Sequence, residues 1–269
     1  MTAEHETERL ARIYSAQARA YAEGWSPIIR VAGRRLLETL PWRGCARVLD
    51  VGTGAGEHLA DIRRLAPTAW VLGVDRSVGM LELARSRGVP LALMDAMDVS
   101  LRPETFDVAA MIFMLFHLDD PVAALRNVRR VLRPGGTLGV VTWAEDPDVE
   151  ATRLWEAELD ALGARELDPI PRKHELMNTT EKMAGLLSAA GFHPQRLWVE
   201  RLEHQWAVEG LMALHTRFGR AKRKLDSLDA ETRDAFLARI RPRLAGLPPA
   251  AFLYRATSVC SVACVRPEG

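Results

Sequence analysis

The stretch Val48 to Leu59, VLDVGTGAGEHL, constrains this chain more than any other. Val48, Leu49 and Val51 form an apolar run that reads as a buried strand, and Gly52, Gly54 and Gly56 follow it directly. Glycines let the backbone turn sharply and approach a ligand closely. A strand that turns through glycine into a helix opens an α/β unit, and a ligand belongs at that turn. A dinucleotide cradle wants G-x-G-x-x-G, with a pyrophosphate on the helix N-terminus. Here the spacing is G-x-G-x-G, and Asp50 precedes it. That carboxylate repels phosphate and suits a ligand carrying an ammonium group. The spacing therefore disfavours an NAD(P)-dependent reductase.

Alternation of strand and helix continues downstream. Trp70 to Asp75 reads as a second buried strand, and Ser77 caps a helix that Gly88 ends. Leu91 to Asp95 is a short third strand. Phe106 to Phe113 is a fourth, apolar almost throughout, as a parallel strand covered on both faces should be. Asp120 and Pro121 open a helix reaching Leu132, and Pro134-Gly135-Gly136 turns into a fifth strand, Leu138 to Trp143. This pattern predicts a doubly wound, mostly parallel α/β sheet, Rossmann-like, with seven strands once Arg196 to Trp206 and Phe252 to Val265 are added.

The flanks read as helical additions. Glu4 to Tyr21 is amphipathic, with Leu10, Ile13, Tyr14 and Ala18 on one face; a second helix, N-capped by Ser26 with Pro27 first, runs to Leu40. Later come a helix over 148–163, a loop from Asp168 to Pro171, and a helix capped near Asn178 or Thr179 that ends at Gly191. Two charged helices follow, Glu209 to Leu225 and Asp229 to Leu244. No internal repeat or low-complexity linker marks a hinge. One domain, 1–269, is expected, with its core at 46–145 plus the strands near 196–206 and 252–265. The cap segments 1–40, 145–178 and 207–250 would cover the carboxyl edge of the sheet, where open α/β sheets bind ligands.

Composition narrows the partners. Lys and Arg total 36 against 35 Asp and Glu, a formal charge of +1, so no global field draws the chain to nucleic acid or a membrane surface. No run approaches the roughly 18 apolar residues of a membrane span, and the polar N-terminus is unlike a secretory signal, so a cytoplasmic location is expected. The three cysteines, Cys45, Cys260 and Cys264, have no repeated spacing; buried thiols are expected rather than a disulfide framework or metal cluster.

Four motifs, in order, resemble the class I S-adenosylmethionine-dependent methyltransferases, in particular the ubiquinone and menaquinone C-methyltransferases and natural-product tailoring enzymes. They are VLDVGTGAGEHL, VLGVDRSVGML, LMDAMDV, and FDVAAMIFMLFHLDD with LRPGGTLGVVTW. The resemblance implies that S-adenosylmethionine is the cofactor and S-adenosylhomocysteine the product. It implies that Asp50, Gly52, Thr53, Gly54 and Gly56 hold the methionine part, and that Asp75, with Arg76 and Met80 beside it, accepts the ribose hydroxyls. Asp95, Ala96 and Met97 would read the adenine. Ile112 and His117 would lie near the sulfonium, and Tyr14 or Tyr21 would close over the cofactor.

The methyl acceptor is expected to be a largely apolar small metabolite, methylated on oxygen, nitrogen or carbon. Phe113, Phe116, Trp143 and Trp206 are candidates for its pocket, with Tyr14, His174 and His215. A base is needed only if the acceptor must lose a proton; His117, which follows strand four at the ligand edge, is the candidate. Asp119 and Asp120 read better as the start of a helix than as metal ligands, so no metal is expected. The basic run Arg217, Arg220, Lys222, Arg223 and Lys224 reads as a solvated helix face. Two rivals stand beside methyl transfer: a non-methylating member of the fold, pericyclase-like or a binding protein, and the reductase already disfavoured. A monomer and a homodimer are equally compatible with the sequence.

Overall fold

The computed structural model describes residues 3–145, 147–166, 169 and 173–267. The loop expected over 168–171 lies outside them, apart from Pro169. The chain begins with α1 (Ala3–Ala20), a π-helical turn (Tyr21–Trp25) and α2 (Ser26–Leu37). Ser26 does not cap a new helix as expected. It is helical (φ −52°, ψ −42°), and its N–H reaches back to the Tyr21 carbonyl. Its buried hydroxyl goes instead to the Glu57 carboxyl, which explains a serine pointing inward from an unbroken helical run. Pro27, which has no N–H to donate, directly follows the π-turn, where the helical hydrogen-bond ladder already shifts register.

The sheet follows as read from the sequence. β1 (Arg47–Val51) leads through glycine turns to α3 (Leu59–Leu65), then β2 (Trp70–Asp75), α4 (Val78–Ala84), β3 (Leu91–Leu93) and β4 (Phe106–Ile112). Ser77 caps α4 by accepting from the Met80 N–H, and Gly88 ends that segment at φ 66°. Next come α5 (Pro121–Val131), capped by Asp120, and β5 (Leu132–Glu145). Strands β1 to β5 pair in parallel, with β1 between β2 and β4. Val48, Leu49, Val51, Val108, Ala109, Ala110 and Met111 are buried at that centre, each large side chain contributing about 1.5–3 kcal/mol.

The second half adds α6 (Glu150–Ala161), α7 (Thr180–Ala189), β6 (His193–Gln205), α8 (Val208–Arg217), α9 (Gly219–Leu225), α10 (Ala230–Ala245) and β7 (Leu253–Cys264). β7 runs antiparallel between β5 and β6, giving a seven-stranded sheet of order β3-β2-β1-β4-β5-β7-β6. Two sequence readings fail here. The helix expected over 209–225 is broken, because Phe218 is extended (φ −144°, ψ 148°) and Gly219 takes φ 76°. The Gly219 N–H then donates to Gln17 Oε1 at 3.1 Å, and the Phe218 ring packs on Tyr14 and Tyr21, so contact with α1 outweighs helix continuity. Cys264, expected to be buried, is half-buried, and its Sγ accepts from Gln195 Nε2 at 3.3 Å. Among the described residues no helix is long and apolar enough to cross a membrane.

Candidate functional site

At the carboxyl ends of β1, β2 and β4 lies a cavity of about 850 Å³, open on one side. Its floor is the glycine turn. A side chain on Gly52 (φ 72°) would strike Met114 at 2.7 Å, and one on Gly54 (φ 57°) would strike Glu57 Oε2 at 2.9 Å, so bare backbone faces the space. Gly56 serves otherwise: it packs against Arg87, Leu59 and Ala84 and lets the glycine turn sit close to α4.

Asp75, at the end of β2, braces this turn. Its Oδ2 accepts from the Gly54 N–H at 2.9 Å and its Oδ1 from the Ser77 N–H at 2.8 Å. Each carboxylate oxygen still has a second lone pair for a ligand hydroxyl. Arg76 and Met80 line the cavity with it, and Ala96 and Met94 form the wall beyond. Asp95 and Met97 stand outside that wall. The Asp95 carboxylate caps the Met97 N–H at 2.8 Å and lies 3.7 Å from Arg76.

Asp50 is placed differently from the expectation. It is 2% exposed, does not line the cavity, and accepts the Thr53 hydroxyl at 2.7 Å. Burial pushes its pKa up to about 7, against the lowering effect of Thr53, with Glu57 and Asp75 adding to the rise. Besides Asp75, the carboxylate that reaches the cavity is Glu57, which was not expected from the sequence. It is 8% exposed, burial raises its pKa, and among the described residues its Oε1 has no hydrogen-bond partner. Its signal was present as an acid on the heels of the third glycine.

The roof comes from α1, through Leu10, Ala11 and Tyr14, with Tyr21 from the π-turn. α1 is fastened to α4: Ser15 Oγ lies 2.8 Å from Ser77 Oγ and accepts from the Gly79 N–H at 3.3 Å. Burial, then the charges of Glu57, Tyr14 and Asp75, raises the Tyr21 pKa well above its ordinary value.

A second cavity, of about 990 Å³, adjoins the first across Tyr14, Tyr21, Ile29, Phe113 and His117. At this junction Tyr14 Oη and His117 Nε2 are 2.9 Å apart. Phe113 holds φ 53°, a left-handed conformation that costs a non-glycine residue on the order of 1–3 kcal/mol, and its ring lies 4.3 Å from that of Trp143. Phe116, Trp143 and His174 line the second cavity.

Trp206 and His215 do not line either cavity. Trp206 is buried at the base of α8, its ring 4.4 Å from His204. His215 packs 5.1 Å from Trp155, and burial lowers its pKa to about 4. The basic run is a solvated face only in part. Arg217 and Arg220 are exposed, Arg217 pairing with Glu23, whereas Lys224 is buried against Glu156 and Asp160, and Arg220 and Arg223 line the second cavity. The break at Gly219 sets α9 at this angle. Asp119 pairs with Lys173 and Asp120 caps α5.

A family model described as "Methyltransferase domain" matches residues 49–140. A demethylmenaquinone methyltransferase of Corynebacterium kroppenstedtii is 33% identical over 146 residues, covering 52% of this chain and 62% of that one. One of Roseiflexus sp. is 30% identical over 165 residues, covering 55% of this chain and 68% of the relative. The chain belongs to the class I S-adenosylmethionine-dependent methyltransferases. Among solved structures, the YcgJ protein of Bacillus subtilis aligns over 87% of this chain and 97% of that one, with a TM-score of 0.56 and 21% identity, a likeness of fold.

S-adenosylmethionine is the cofactor of this family, and the first cavity fits it chemically. Bare glycine backbone meets a ligand surface, Asp75 offers acceptors for hydroxyls, and an unpartnered buried carboxylate oxygen awaits a cation.

Proposed function

We infer that the protein is a methyltransferase: the first cavity binds S-adenosylmethionine and the second a largely apolar small-molecule acceptor. The observation that carries this reading is Glu57, a buried carboxylate facing a cavity also lined by Asp75 and backed by Asp50. Ser26 satisfies part of this carboxyl, but its buried Oε1 is left without a partner, which is costly, and a cationic ligand repays it. When bound, S-adenosylmethionine supplies a methyl group on a sulfonium, whose departure as a neutral thioether needs no metal.

The chain's own residues orient and exclude water. Glu57 receives the ammonium group, Thr53 and the turn at Gly52 and Gly54 hold the methionine portion, and Asp50 acts through Thr53. Asp75 takes the ribose hydroxyls. Ala96 and Met94 flank the base, with Asp95 and Met97 fixing that loop from outside. Tyr14 and Tyr21 close the roof, and Ile112 and Phe113 press on the reacting end. His117, held by Tyr14, stands where the two cavities meet and is the group that would accept a proton from a protic acceptor. The relatives' names support a small acceptor, and carbon methylation is the transfer their printed names favour.

Calorimetry tests the donor site. S-adenosylhomocysteine, which keeps the ammonium, should bind saturably, and Glu57→Gln should weaken it by about tenfold or more, as for loss of a charge-assisted hydrogen bond. 5′-Methylthioadenosine, which lacks the amino acid, should bind both proteins alike. Absence of any saturable heat with S-adenosylhomocysteine would sink the reading.

A further inference from the structure

The two cavities differ in charge. Glu57, Asp75 and Arg76 line the first; Arg220 and Arg223 line the second, and among the described residues no carboxylate lines it. Glu166 stands behind the arginines. Its Oε1 accepts from Arg223 Nε at 2.8 Å, and its Oε2 lies 3.4 Å from Arg220 Nε. One carboxylate against two permanently charged guanidiniums leaves a positive charge over. Arg223 and Glu166 are 15% and 16% exposed, so Arg223 is held in place, whereas Arg220 is 57% exposed and more open to solvent.

The rest of that cavity is aromatic. All three tyrosines of the chain line it, Tyr14, Tyr21 and Tyr254, with Trp25, Trp143 and Phe218. Aromatic walls alone would serve a cationic amine as well as a flat ring. Two guanidiniums decide against the amine, since they repel it and attract an oxyanion.

Resting on the donor-site reading above, we propose that the acceptor is a planar aromatic compound bearing an anionic oxygen group, a carboxylate or an ionised phenol or enol. Its ring packs on the aromatic wall and its oxyanion meets Arg220 and Arg223. Where the oxyanion itself takes the methyl group no proton is released and the Tyr14–His117 pair has only to orient the acceptor; transfer to a ring carbon expels that carbon's proton, which His117 would take. Glu166 sets the strength of the anion site by sharing both arginines.

The test uses the full chain saturated with S-adenosylhomocysteine and three probes of one shape: 2-naphthoate, 2-naphthamide and 2-naphthylmethylammonium. Titration calorimetry should give 2-naphthoate the tightest binding, at least tenfold over the amide, with the ammonium weakest. Arg220→Gln and Arg223→Gln should each erode that preference while S-adenosylhomocysteine affinity stays unchanged, which also reports that the variants are folded. Equal binding of naphthoate and naphthamide, no binding by any of the three, or a preference that survives the double variant overturns the proposal. Failure of S-adenosylhomocysteine itself to bind is a separate result and removes the donor site beneath it.

Discussion

Asp75 joins two jobs in one side chain. It accepts N–H bonds from Gly54 and Ser77, so it fixes the glycine turn to the start of α4, and it keeps free lone pairs toward the cavity. Asp75→Ala should therefore reduce S-adenosylhomocysteine affinity by about 10- to 100-fold, the worth of one charge-assisted acceptor, in calorimetry. Its melting temperature should fall as well, because two backbone donors lose their partner; unchanged affinity would remove Asp75 from the site. Residues of this kind were legible: an acid at the end of β2 has its place dictated by the strand. Glu57 and Asp50 were harder to tell apart. Both flank the same turn, and only the path of the backbone decides that Asp50 points into the layer behind while Glu57 reaches the cavity. His215 lies on α8, and composition cannot say which side of that helix faces the core; Trp206 precedes α8, where no periodicity fixes its direction.

At the scale of elements, α1 depends on α4 having no side chain at one position. A Cβ on Gly79 would lie 2.5 Å from the Ser15 carbonyl oxygen, a backbone atom that cannot step aside without moving the helix. Gly79→Ala should lift α1 from the cavity. Hydrogen exchange should rise across residues 8–20, and S-adenosylhomocysteine affinity should drop by about tenfold through the population of closed protein. Unaltered exchange in α1 would mean that the contact is not what holds the roof. The strands and α4, α5 and α7 were legible from local signals, since their caps Ser77, Asp120 and Thr179 all accept the expected N–H bonds, and α10 begins where its pattern does, with Asp229 as its cap. The joint at Phe218–Gly219 was not. Its sequence continues an amphipathic pattern, and the break is imposed by α1, which is remote in the chain.

For the whole molecule, the buried acids make acidity and cofactor binding pull in opposite directions. Asp50 titrates near 7 in the folded state, and Glu57 and Asp75 are raised too, chiefly by burial. An unfolded carboxyl ionises near 4, so for Asp50 between about 4 and 7 the native state holds the extra proton and stability falls as pH rises, and Glu57 and Asp75 act in the same direction. The lowered His58 and His215, both near 4 through burial, act the other way: their contribution is present above about 6.5 and lost as pH falls toward 4. A bound ammonium favours the ionised carboxyls. S-adenosylhomocysteine affinity should accordingly strengthen from pH 5 to pH 8, with protons released on binding, measurable by calorimetry in buffers of different ionisation enthalpy. Proton uptake instead would show that the acids are already charged in the free protein. This linkage was invisible in a formal charge of +1, which counts every acid as ionised whatever its burial.

The position of β7 has a consequence for synthesis on the ribosome. β6 touches the parallel sheet only through β7, which pairs with Thr137 to Glu145 on one side and His193 to Gln205 on the other. Parallel β1 to β5 can assemble as they emerge, but β6 must wait, unpaired, while α8, α9 and α10 are made. Only when residues 253–264 leave the exit tunnel does the last strand slot between its neighbours, so this edge is exposed to wrong pairing for longest during translation.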